Sequence, residues 1–179
     1  MSRCIVVKQG GGAITQHVHH RYVIGLGSNL DDRMALIGAA HQLIEKKIGI
    51  IEANAPMYAT PPMGAADQPF LNTAVRVATD LQPIPLLRAL LAIETELGRV
   101  RRERWGNRRI DCDILLWEEC GATRSHEDQE LVVPHPALLD RDFALVPAAA
   151  VAGDWLHPMT GRKLAEELKS RGYRLAALS

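Results

Sequence analysis

Asp111 and Asp113 are separated by a single residue in the run Ile110-Asp111-Cys112-Asp113-Ile114-Leu115-Leu116, whose apolar alternation predicts a strand. Alternate residues of a strand share a face, so both carboxylates project together while Ile110, Cys112 and Ile114 fill the opposite side. Two like charges held side by side favour a cation. Oxygen donors in this number suit magnesium, which keeps several waters and completes its shell with substrate phosphate. An isolated Asp-x-Asp is more often a solvated strand face, but here the neighbours change the odds. Arg99, Arg101, Arg102, Arg104, Arg108 and Arg109 lie immediately upstream, and a guanidinium fork matches phosphate oxygens while keeping its charge. A metal-binding pair beside an arginine cluster points to a polyphosphate substrate. Gly98 and Gly106 flank most of this run and suit a loop that closes as a lid.

Other candidates carry weaker signals. His135 stands between Pro134 and Pro136, which restrict the backbone and present the imidazole at a defined place; packing and function are equally served by that. Gly25-x-Gly27 follows an apolar run, but Leu30 occupies the place of a third glycine, and a dinucleotide fingerprint is rejected. His17, His19 and His20 fall in a segment, residues 1–20, that includes Gly10, Gly11 and Gly12 and lacks the period of helix or strand. They read as solvated side chains on a flexible extension rather than metal ligands, leaving residues 21–179 as one domain.

The elements that must position these groups can be read from spacing. Tyr22 to Gly27 forms a short apolar strand that turns at Ser28-Asn29 into a helix opened by Asp31-Asp32. Met34, Ile37, Ala40, Leu43 and Ile44 make the buried stripe of that helix, and Gly49 stops it. Ile50 to Tyr58 is expected as one strand, and residues 60–69, with three prolines and a glycine, as a shaped loop. From Phe70 to Thr79 the chain alternates, placing Leu71, Val75 and Val77 on the core side and Phe70, Asn72 and Arg76 away from it. Pro83 and Pro85 start a second helix carrying Leu86, Leu87, Leu90, Leu91, Ile93 and Leu97, ended by Gly98. Strand, helix, strand, strand, helix, strand is the split β-α-β unit repeated, an α+β, ferredoxin-like antiparallel sheet with both helices on one face. A polar connection over 118–130 and helical patterns near 143–151 and 162–170 extend it toward the C-terminus.

Composition bounds the function. The chain has 179 residues, 47% of them apolar, with 21 basic and 21 acidic side chains and formal net charge zero. Such a balance provides no global field toward nucleic acid or anionic membrane. Three cysteines, Cys4, Cys112 and Cys120, match neither a disulfide framework nor a paired zinc motif and suit a reducing, cytoplasmic setting. No apolar run approaches the roughly 18 residues of a membrane span, and no signal-peptide pattern opens the chain.

Taken together, Arg104-Trp105-Gly106-Asn107-Arg108-Arg109-Ile110-Asp111-Cys112-Asp113-Ile114-Leu115-Leu116 resembles the signature of the 6-hydroxymethyl-7,8-dihydropterin pyrophosphokinase family. Gly27-Ser28-Asn29-Leu30, Thr60-Pro61-Pro62, Phe70-Leu71-Asn72, Glu94, Gly98-Arg99-Val100-Arg101 and Val133-Pro134-His135-Pro136, followed by Arg141 and Phe143, repeat the resemblance in the same chain order. It runs from Tyr22 to about Trp155.

The resemblance implies diphosphate transfer from ATP to the pterin, giving AMP and the pterin diphosphate, in folate biosynthesis. It further implies that Asp111 and Asp113 hold two magnesium ions, that Arg99, Arg101 and Arg108 meet the ATP phosphates, and that Glu94, Trp105, His135 and Arg141 complete the nucleotide side. Phe70 and Phe143 would sandwich the pterin, a reasonable use of aromatic stacking, with Asn72 and the backbone of Thr60, Pro61, Pro62, Met63 and Gly64 reading its polar edge. Three positions depart from the family pattern: Asn107 stands where proline is usual, Phe70 where tyrosine is frequent, and Leu91 where a glutamine can contact nucleotide. The expected partners are small molecules alone, with no nucleic acid or membrane, and the expected state is a monomer. Two rivals remain at this level: a two-metal nucleotidyl transferase or nuclease, and a small-ligand or RNA-binding ferredoxin-like module using the arginine run.

Overall fold

The computed structural model describes residues 20–62, 64, 66–99 and 107–178. β1 (His20–Ser28) is central, a nearly continuous buried run as expected for a strand covered on both faces. The chain then turns through Asp31 and enters α1 (Arg33–Lys47). Asp32 caps this helix by accepting from the Ala35 amide at 3.0 Å. Gly49 follows because a Cβ there would lie 2.1 Å from the Ala78 carbonyl oxygen.

The expected single strand over 50–58 divides into β2 (Ile50–Asn54) and β3 (Tyr58–Thr60). Pro56 lies in the break, where it has no amide to give to a ladder. Both pieces pair with β4 (Phe70–Thr79), β2 along its end and β3 along its start, where Tyr58 faces Asn72. α2 (Pro83–Glu96) opens on Pro83 and Pro85 and buries Leu86, Leu90 and Ile93 completely. Each such side chain contributes about 1.5–3 kcal/mol of hydrophobic stabilisation. β5 (Asp111–Glu119) returns along β1 and continues through a tight turn into β6 (Ala122–Arg124).

The strand order is β2-β4-β1-β5-β6, with antiparallel neighbours throughout. Each β-α-β unit therefore leaves room for a strand of the other, the interleaving expected from the element order. α1 and α2 cover one face over a core that includes Tyr22, Ile24, Leu26, Val75, Ile110, Cys112 and Ile114.

The other face is also covered, over part of its length. β7 (His126–Glu127) and β8 (Val132–Val133) form a small separate ladder, after which α3 (Asp142–Ala152) lies against the sheet. Leu145, Ala148 and Val151 of α3 pack with Val23, Ala74 and Leu115. α4 (Leu164–Arg171) rests on α3, and the last residues return to β3, where the Leu178 amide donates to the Met57 carbonyl at 2.8 Å. The face carrying Phe70 and Asn72 is thus a second core rather than solvent, and Asn72 is buried.

His20 also corrects the sequence reading. It is the first residue of β1 and fully buried, its ring bonded to Gln82 at 2.9 Å and to the Trp117 indole at 3.2 Å. An aromatic neighbourhood of Tyr22 and Trp117 encloses it, a packing environment with no local sequence signal. His17 and His19 lie outside the described residues.

Candidate active site

The site is built across three strands. In β1, Gly27 faces Asn72 of β4 on one side and Asp111 of β5 on the other, and Gly25 likewise faces Ala74 and Asp113. Paired residues on neighbouring strands share a face. At a strand spacing near 4.8 Å, Asn72 and Asp111 stand roughly 10 Å apart over a floor with no side chain. A Cβ on Gly27 would come within 2.9 Å of Asn72 Oδ1.

Asp111 is the hub of the charged side. Arg99 donates from Nη1 to Asp111 Oδ1 at 2.5 Å and also pairs with Glu94, while Arg108 pairs with Asp111 Oδ2. Glu94 reaches this group from α2, buried, with Oε1 accepting from the Cys112 amide at 2.7 Å. Burial raises the Glu94 carboxyl above its ordinary value, against the pull of Arg99 and the Cys112 amide. α2 and β5 are therefore joined by a carboxylate that also aims a guanidinium.

Asp113 differs from its neighbour. No hydrogen bond or ion pair reaches it among the described residues. Its carboxyl is accessible to solvent yet ringed by protein, and is pushed up to about 7, first by desolvation and then by the charges of Asp111 and Glu94. An unpartnered carboxylate destabilised by like charges is the environment a divalent cation relieves. No third His, Cys, Asp or Glu joins the pair in a metal-sized group among the described residues.

His135 sits beside the pair, its amide bonded to the Leu115 carbonyl at 3.0 Å. Its Nδ1 accepts from the Ala137 amide at 3.1 Å. Burial, helped by Arg141, lowers its pKa, so the ring is neutral with its proton on Nε2, available to donate. Arg141 precedes α3 and lies 5.7 Å above the Phe143 ring.

On the other side of the glycine floor, Asn72 Nδ2 donates to Thr60 Oγ1 at 2.7 Å, and both side chains are buried. Asn72 Oδ1 faces Gly27. Phe70 is half-buried at the start of β4, next to the exposed Pro61 and Pro62, and Gly64 turns the loop with φ of 67°. Phe143 enters from the first turn of α3, and no ring contact joins it to Phe70 among the described residues.

The structure thus gathers Glu94, Arg99, Arg108, Asp111 and Asp113 into one cluster, with Thr60, Phe70 and Asn72 across the floor. Met63, Arg101 and Trp105 lie outside the described residues. Sequence reasoning missed the part played by Gly25 and Gly27, although glycine inside a strand is itself a sign of close approach. It also missed Asn29, 2% exposed, whose Oδ1 accepts from the Arg108 amide at 2.6 Å.

Comparison with known proteins agrees with this geometry. Residues 23–153 match the 7,8-dihydro-6-hydroxymethylpterin-pyrophosphokinase (HPPK) family. The 2-amino-4-hydroxy-6-hydroxymethyldihydropteridine pyrophosphokinase of Methylorubrum extorquens is 46% identical over 136 residues, 75% of this chain and 84% of that one. The protein of the same name from Pseudomonas aeruginosa is 42% identical over 150 residues, 83% of this chain and 90% of that one. Among solved structures, HPPK-DHPS of Plasmodium falciparum superposes with a TM-score of 0.69 at 14% identity, a likeness of fold. The superposition covers 88% of this chain but only 44% of that longer one. Since the matched span holds the paired aspartates, the arginines beside them and the glycine floor, this chain belongs to the 7,8-dihydro-6-hydroxymethylpterin-pyrophosphokinase family.

Proposed function

We propose that the chain transfers the diphosphate of ATP to 6-hydroxymethyl-7,8-dihydropterin, releasing AMP and the pterin diphosphate, as a step of folate biosynthesis. The observation that carries this reading is the row Asn72-Gly27-Asp111, which sets a polar reader and a charged cluster on two sides of one bare floor.

The triphosphate lies along β5 on the charged side. Arg99 and Arg108 already stand there, each held through Nη1 by one oxygen of Asp111. Glu94 holds Arg99 from behind, and neutral His135 and cationic Arg141 complete the nucleotide side. By family resemblance, Arg101 would also meet the ATP phosphates and Trp105 the nucleotide. Asp111 and Asp113 hold magnesium, two ions in our reading, which when bound supplies charge neutralisation and alignment of the phosphate oxygens.

The pterin occupies the other side. Asn72, oriented by Thr60, reads its ring edge together with the backbone of residues 60–64, and Phe70 and Phe143 supply aromatic faces. The pterin hydroxymethyl oxygen gives up its proton to solvent and bonds to the β-phosphorus of ATP as the bond from that phosphorus to the AMP oxygen breaks, AMP leaving with the bond's electron pair. Such chemistry asks for positioning and charge stabilisation rather than a nucleophilic side chain. No helix among the described residues is long and apolar enough to cross a membrane; we place the enzyme in the cytoplasm as a monomer acting on small molecules.

The test is to mix the protein with ATP, magnesium and 6-hydroxymethyl-7,8-dihydropterin and separate the nucleotides. AMP with a pterin diphosphate supports the proposal. ADP would indicate a simple kinase, and no turnover by folded protein would remove it.

A further inference from the structure

Asn107 makes contacts that neither the phosphate nor the pterin accounts for. Its Nδ2 donates to Asp67 Oδ1 at 2.6 Å, and its Oδ1 accepts from the Asp67 amide at 3.3 Å and from Asn29 Nδ2 at 2.7 Å. Asn29 Nδ2 gives its second proton to the Gln68 carbonyl at 3.2 Å. The main chain of Asn29 closes the node by donating to the Arg108 carbonyl at 3.1 Å. Two asparagines thus join three segments distant in sequence: the turn after β1, the loop 61–69 on the pterin side, and the approach to β5 that carries Arg108.

We propose that Asn107 is a positioning residue for the pterin: it fixes the 66–69 segment, and through it the loop entering β4, without touching the substrate. The argument rests on the pyrophosphokinase reading of the site. A loop with few apolar anchors has its geometry set by its polar ties, and among the described residues the hydrogen bonds reaching Asp67, Gln68 and Pro69 come from Asn107, Asn29 and Arg33.

The tie has a chemical signature that a general structural role lacks. Every partner of Asn107 Oδ1 is a donor, so a carboxylate at 107 keeps those bonds but repels Asp67. Adding Asp67→Asn to Asn107→Asp reverses the polarity of the pair and restores the bond, the new amide donating to the new carboxylate. Asn107→Ala is expected to raise KM for the pterin about five- to tenfold, the worth of one to two lost hydrogen bonds. It should leave KM for ATP within about twofold. Asn107→Asp should raise the pterin KM at least as much, and the Asn107→Asp/Asp67→Asn pair should return it to near wild type.

Exchange of the backbone amides of Ala66, Asp67 and Gln68 in the unliganded protein provides a readout independent of turnover: faster in Asn107→Ala, and restored in the swapped pair. If wild-type protein forms no AMP from ATP and the pterin, the activity reading fails, and exchange alone decides whether the tie exists. A pterin KM within twofold of wild type in Asn107→Ala, exchange unchanged by that substitution, or a swapped pair no better than Asn107→Asp would each overturn the proposal.

Discussion

Asn72 and Asp111 face one groove from opposite sides of Gly27, the first on β4 and the second on β5. The distance between two chemically different halves of the site is therefore set by the spacing of a β-sheet, among the least adjustable lengths in a protein. A missing side chain in the middle strand is as much a part of the site as the side chains that flank it.

Gly27→Ala should therefore damage activity more than stability. The new methyl group lies 2.9 Å from Asn72 Oδ1, and Asn72 is held by Thr60, so the amide must turn away from the groove. We expect kcat/KM for the pterin to fall about tenfold or more while the melting temperature drops by no more than about 5 °C. Steady-state kinetics beside a thermal melt measure both.

Asp113→Asn is expected to abolish nearly all turnover and yet to stabilise the metal-free protein at alkaline pH. The Asp113 carboxyl titrates near 7 in the fold and near 4 when unfolded. Between these values the folded state holds the extra proton, so stability falls as pH rises through that window and stays reduced above it. The asparagine variant lacks this loss. Its melting temperature should match wild type near pH 4 and exceed it at pH 8 in chelator, and added magnesium should raise only the wild-type value substantially.

Glu94 separates support from charge. Glu94→Ala leaves the Cys112 amide without its buried acceptor and takes from Arg99 one of its two carboxylate partners, Asp111 being the other, and is expected to cost about 2–4 kcal/mol in urea unfolding. Glu94→Gln keeps an acceptor for the Cys112 amide and should cost roughly half as much. A smaller loss in the alanine variant than in the glutamine variant would contradict the arrangement.

Acid should weaken the fold through its histidines. Burial lowers the pKa of His41, His135 and His157 below the ordinary histidine value, and His157 Nδ1 is buried without a hydrogen-bond partner among the described residues. A depressed folded value means that the unfolded chain takes up protons first, so this stability is fully present above pH 6.5 and is lost as pH falls toward the folded values. His157→Gln should flatten the fall in melting temperature between pH 7 and 5, a change that parallel melts would register.

Local spacing was enough for much of this protein. Alternation around Asp111 and Asp113 identified a strand with both carboxylates on one side, because a strand's period of two is a property of its own backbone. Leu86, Leu90 and Ile93, behind two prolines, marked α2 in the same way. The order of elements then restricted the sheet to an interleaved pair of β-α-β units.

Tertiary structure alone decided what each of these residues meets. Alternation set Asn72 on the side away from the first core, but it is buried, on a face that α3, some 70 positions later, partly covers. His20 looked like part of a loose tail until Gln82 and Trp117 enclosed it. Gly25 and Gly27 gain meaning only from the registers that bring Asn72 and Asp111 to either side. Asn107 reaches partners 40 and 78 positions away in Asp67 and Asn29. A helix or strand announces itself by repeating within a few residues, whereas cross-strand register and a hydrogen-bonded node depend on segments that are remote in the chain and adjacent only after the core has formed.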